Sequence, residues 1–141
     1  MLGKICVKPV ITARADMTVA EAARLMRAKR VGALVVVNGQ RPVGLLTDRD
    51  VAIGVVGRGK DPSAVQVREV MARKPTVIRE DLGLLDAAAL FGRTGVRRIP
   101  VVNKGGKMVG IIALDDVLML LGREMGHVAS GIARGLSRAA V

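Results

Sequence analysis

The chain has 141 residues, 23 Lys and Arg against 12 Asp and Glu (formal charge +11), one cysteine, and a single aromatic residue, Phe91. That length suits one domain or two very small ones. A lone cysteine excludes an internal disulfide, and no apolar run approaches the ~20 residues of a membrane span. The first residues carry Lys4 and Lys8 with no continuous apolar stretch between them, so no secretory leader is read and a cytoplasmic protein is expected.

Cys6 lies between Ile5 and Val7 and is expected to be a buried, inert thiol. Val10-Ile11-Thr12 reads as extended chain, ending in the polar turn Arg14-Ala15-Asp16. Thr18-Val19-Ala20-Glu21 is a capping-box signature that opens a helix. Val19, Ala22, Ala23 and Met26 then follow the i, i+3, i+4, i+7 spacing of one buried face. The β-branched run Val31 to Val37 predicts a buried strand, and Asn38-Gly39 a tight turn into a second one.

That second strand carries the stretch on which the reading turns, Val43-Gly44-Leu45-Leu46-Thr47-Asp48-Arg49-Asp50-Val51. A short buried strand stops at a polar residue and opens a helix. Thr47 can cap that helix, and Asp50 can reach back to the cap. A strand feeding a helix N-terminus is also a natural anion site. Thr47 could donate to a phosphate and Asp50 could accept from the hydroxyls of a ribose. Capping alone explains the same residues.

Gly57 to Ser63 reads as a linker, and Val65 to Met71 as a short helix closing the first unit. The pattern then repeats. Pro75 to Ile78 is extended, and Leu84, Ala87, Ala88 and Phe91 restate the helical face 65 residues on. Val96-Arg97-Arg98-Ile99-Pro100-Val101-Val102 is the buried strand, Asn103 to Gly106 the turn. The motif returns as Val109-Gly110-Ile111-Ile112-Ala113-Leu114-Asp115-Asp116-Val117. Each unit therefore predicts strand, helix, strand, strand, helix. The expected division is 1–64 and 65–121, with a helical tail over 122–141. Val117 to Leu121 is apolar nearly all round, which in so short a chain points to a homodimer interface. His127, the only histidine, is expected at the surface.

This doubled pattern resembles a tandem pair of cystathionine-β-synthase-type (CBS) domains, a Bateman module. The resemblance rests on Thr18 to Ala23, Gly32 to Asn38 and Gly44 to Asp50, then on Asp86 to Ala88, Arg97 to Asn103 and Gly110 to Asp116. It covers about residues 9 to 121. It implies an α/β (α+β) fold of two β-α-β-β-α repeats related by a pseudo-two-fold axis, commonly paired into a homodimer. It further implies a non-enzymatic regulatory module that binds AMP, ADP, ATP or S-adenosylmethionine in clefts between the repeats.

By the same resemblance, Gly44, Thr47 and Asp50 match the nucleotide signature in full. Gly110 and Asp116 match it with Ala113 in place of the hydroxyl, so the second site is expected to be weaker by ~1.5–3 kcal/mol. Arg97 and Arg98 stand where family members often direct a cation at phosphate. Whether they share a cleft with Thr47 and Asp50 is open at this level, as is a purely solvated role. Ile11, Val36, Val77 and Pro100 are the expected apolar walls for a base.

Two other classes compete with the sensor. So basic a surface fits a nucleic-acid-binding accessory protein, although one aromatic residue leaves little for base stacking. A ligand-free oligomerisation module fits the apolar helix. An unidentified effector protein remains a possible partner of a sensor. An enzyme is disfavoured, because neither the one His nor the one Cys has a recognisable nucleophile–base partner.

Overall fold

Local signals place the two capped helices and the two hairpins where the spacing predicts them, while the helix Leu2–Ile5 and the strand Ala72–Arg73 arise without such a signal. In the computed structural model, which describes residues 1–139, the first half runs α1 (Leu2–Ile5), β1 (Thr12–Ala13), α2 (Val19–Lys29), β2 (Ala33–Asn38), β3 (Arg41–Thr47) and α3 (Asp48–Gly54). The second half runs β4 (Ala72–Arg73), β5 (Ile78–Arg79), α4 (Leu84–Thr94), β6 (Arg98–Val102), β7 (Met108–Ala113) and α5 (Leu114–Ala139). Thr18 caps α2, its Oγ1 accepting from the Glu21 amide at 3.1 Å. α2 buries Val19, Ala22 and Met26, and α4 buries Ala87 and Phe91.

Each half builds a small mixed sheet with its helix packed on one face. β1 pairs parallel with β2, and β2 antiparallel with β3. β5, β6 and β7 repeat that order. Leu34, Val36 and Leu46 fill the first core, and Ile99, Val101 and Ile112 the second.

The halves also exchange arms. β4, which follows the linker, pairs with β3 of the first half (Leu45 opposite Ala72), while Val7 bridges to Ile111 of β7. The Val67 amide donates to the Met17 carbonyl at 2.8 Å, and Val67 is buried in the first core. Reciprocally, the Leu2 amide donates to Leu82 O at 2.9 Å, and Leu2 is buried in the second core. Only a two-fold relation between the halves makes such an exchange mutual. The 3₁₀ turn Val67–Glu69 thus closes the first unit as expected. The segment before Pro9 is more than a lead-in, because it closes the second unit. Across the expected boundary at 64/65, each core draws on both sides.

The linker is bound to its surroundings. Ala20 N donates to Pro62 O at 3.0 Å and Val19 N to Val65 O at 2.8 Å, and Val19, Val55 and Val65 form a small buried cluster. The expected tail continues α5 without a break, so Gly122 marks no boundary; Ala140 and Val141 lie outside the described residues. Of this helix Val117 is buried, while Leu118, Met125, Val128, Ile132 and Leu136 are exposed. The described helices include none long and apolar enough to cross a membrane.

Candidate functional site

Strand alternation decides what lies between the halves. Successive side chains of a strand point to opposite faces. Leu34 and Val36 of β2 enter the first core, which leaves Ala33 and Val35 on the other face. Ile99 of β6 and Ile112 of β7 enter the second core, leaving Arg98, Ile111 and Ala113. These two free faces meet around a cavity of about 310 Å³, within the range of small-molecule sites. The first half also lines it with Pro9, Val10, Ile11 and Arg30 to Gly32, and the second half with Asp116. Two arginines and one aspartate are thus the charged residues that line a mostly aliphatic chamber.

Asp116 is held by the start of α5. Its Oδ2 accepts from the Ala113 amide at 3.2 Å, so the carboxylate reaches back over the helix N-terminus beside the cavity. Arg98 sits opposite Ala113 in the β6–β7 ladder, and is half-buried. Arg30 ends α2 in the left-handed region (φ 54°), a conformation that costs a non-glycine residue about 1 kcal/mol. Its counterpart at the end of α4 is Gly95 (φ 70°), where no such cost arises. Among the described residues neither Arg30 nor Arg98 is held in an ion pair.

The first junction closes on itself. Thr47 N donates to Asp50 Oδ2 at 2.9 Å and Asp50 N donates to Thr47 Oγ1 at 3.2 Å, a complete capping box. Asp50 lines a separate cavity of about 370 Å³ with Arg49, Arg58, Lys60 and Glu69, built between α3 and the chain up to Val70. Thr47 and Asp50 therefore lie apart from the chamber that holds Asp116, Arg98 and Ile11. The two arginines also separate: Arg97 is exposed and 3.9 Å from Asp115, a pairing of little energetic weight.

The expected base walls fare differently. Ile11 lines the chamber, whereas Val77 lies at a surface cavity beside α4. Val36 is fully buried against α2 and does not face the chamber, because the strand's alternation gives that position to Val35. Pro100 is buried opposite Ile111. Val10, Val31, Val35 and Ile111 escaped the sequence reading, although the alternation within each β-branched run carries the signal for the strand residues. Neither Gly44 nor Gly110 lines the cavities that hold Asp50 and Asp116. A Cβ on Gly44 would meet the Met71 sulfur, and one on Gly110 the Cys6 sulfur, so both glycines admit the exchanged arms. Cys6 is buried there, and His127 is exposed on α5.

Two α+β repeats that swap arms and share a chamber define a tandem-repeat module. The CBS-domain model matches residues 2–57 and 67–123, and the chain belongs to the CBS-domain family. It is 35% identical over 124 residues to the CBS domain-containing protein YhcV of Bacillus subtilis, covering 88% of this chain and 85% of that protein. An uncharacterized protein of Methanopyrus kandleri is 35% identical over 120 residues, 84% of this chain and 61% of its own length. Among solved structures, the CBS domain pair of protein MJ0100 in complex with 5′-methylthioadenosine and S-adenosyl-L-methionine has a TM-score of 0.77 at 26% identity, covering 88% of this chain and 97% of that one. CBSX2 in complex with AMP has a TM-score of 0.74 at 25% identity, with the same two coverages.

Proposed function

We propose that this protein is a non-catalytic sensor of adenosine compounds and that the inter-repeat chamber is its principal ligand site. One observation carries the reading: the cleft places the Asp116 carboxylate and Arg98 against an aliphatic wall donated by the other repeat. A carboxylate at a helix start suits the paired hydroxyls of a ribose, a guanidinium suits phosphate, and Val10, Ile11, Val35 and Ile111 suit the flat faces of a base. The complexes of MJ0100 and CBSX2 with adenosine compounds support the choice of ligand class. Thr47 and Asp50 mark the counterpart junction, whose cavity takes in none of Arg97, Pro100 or Val77. That cavity draws on no residue of β5 to β7, whereas the chamber is lined from both halves, so we assign the cavity beside Asp50 the weaker binding.

Signalling follows if the ligand favours one arrangement of the repeats over another, since only differential affinity shifts a conformational equilibrium. We assign the protein to a homodimer whose contact is the exposed stripe of α5. Leu118, Met125 and Ile132 recur every seven residues, with Leu121 and Val128 between them, the spacing of a two-helix seam. An effector protein would read the ligand-dependent shape of that dimer.

Titration calorimetry with AMP, ADP, ATP and S-adenosylmethionine tests the site. Asp116→Ala is expected to weaken the best of them by about ten- to hundredfold, the usual worth of a hydrogen bond to a charged group. No heat with any of the four at millimolar concentration would remove the sensor reading.

A further inference from the structure

Arg30 is the residue in the chamber that its local structure does least to explain. It closes α2 at φ 54° and ψ 44°, while the second repeat closes α4 with Gly95 at φ 70°. Glycine takes that backbone without strain, so an arginine there carries a stereochemical cost its twin avoids. Beyond the favourable placing of a cation at a helix C-terminus, its side chain has no partner among the described residues of the fold. Arg30 is exposed, and among the described residues its guanidinium has neither an ion-pair nor a hydrogen-bond partner. It nevertheless lines the chamber, across from Arg98 and Asp116.

We infer that Arg30 is a specificity determinant that makes the chamber select adenosine compounds with an anionic tail over those with a neutral or cationic one. This rests on the chamber being the adenosine site. Gly32 and Ala33, the first-repeat counterparts of Arg97 and Arg98, bring no charge to it. Arg30 restores the missing cation from two residues earlier, at the left-handed end of α2. With Arg98 it makes two positive groups against one carboxylate. When the ribose engages Asp116, the two guanidinium groups remain for phosphate oxygens, and the same pair opposes a sulfonium or ammonium group.

The test is calorimetry at fixed ionic strength on the full chain with adenosine, AMP and S-adenosylmethionine, using wild type, Arg30→Gly and Arg30→Lys. Glycine keeps the backbone seen at Gly95, so the fold is retained, which a thermal melt verifies. Wild type is expected to prefer AMP to adenosine by at least tenfold, and S-adenosylmethionine is expected to bind worse than AMP. Arg30→Gly should lose about ten- to hundredfold in AMP affinity with adenosine unchanged, and Arg30→Lys should keep part of the preference. Equal AMP affinity in wild type and Arg30→Gly overturns the inference, as does a parallel loss for adenosine, which would mark a structural role. If wild type binds adenosine but AMP no better, this inference alone falls. If it binds none of the three, the sensor reading falls with it.

Discussion

The two strand-to-helix junctions share a backbone plan and differ at the capping position, Thr47 against Ala113. At the first, Thr47 and Asp50 satisfy each other's amides, and the acid opens onto a cavity made by the first half and the linker. At the second, Ala113 leaves a half-built cap, and Asp116 opens onto the chamber both halves share. The better match to a nucleotide signature is therefore the better-capped helix, while the poorer match stands beside two free arginines. Motif completeness and access to the shared chamber part company here because the residues that line the chamber come from both repeats.

The arm-docking glycines offer the largest contrast between the halves. Gly110→Ala would drive a methyl group into the Cys6 side chain and toward the Val7 carbonyl, both short and anchored. A loss of about 1–3 kcal/mol is expected, read from the denaturant midpoint. Gly44→Ala meets the thioether of Met71, which can rotate away, so its loss should be clearly smaller. Equal losses would mean that the two arms are not held in the same manner.

Exchanging the caps gives a smaller effect. Thr47→Ala removes the hydroxyl that accepts from Asp50 N and should cost about 1 kcal/mol. Ala113→Thr completes the second box and should stabilise by a few tenths to about 1 kcal/mol. A pair of thermal melts decides it, and a destabilised Ala113→Thr would show that the chamber wall tolerates no added volume.

The smallest effect on the fold concerns α5. Ile132 is 61% exposed, so Ile132→Lys should alter monomer stability by less than about 0.5 kcal/mol. The same change should lower the molecular mass measured by light scattering from dimer to monomer. An unchanged mass would move the dimer contact elsewhere.

Much of the fold was legible because it depends on local patterns. Thr18 before Val19, Ala22 and Met26, and the return of that face at Leu84, Ala87 and Phe91, need only near neighbours along the chain. The same holds for the hairpins, whose turn residues stand beside their strands. The candidate site was legible only in pieces. Asp116, Arg98 and Ile11 are each candidate site residues in the sequence, but nothing local says that they meet, or that Arg97 turns instead to Asp115. Val36 was chosen where Val35 faces the chamber, because a continuous β-branched run hides which face is which.

By itself the amino-acid order determined that there are two copies of one strand–helix–strand–strand–helix unit, where each begins its helices, and which face of α2 and α4 is buried. These are consequences of spacing and capping within a dozen residues. Only the tertiary structure decided that the Leu2 and Val67 arms cross to the opposite half, that the second acid faces the shared chamber, and that Arg30 lines it. Those facts depend on how two sheets meet across a two-fold axis, a contact between residues far apart along the chain that no local pattern encodes.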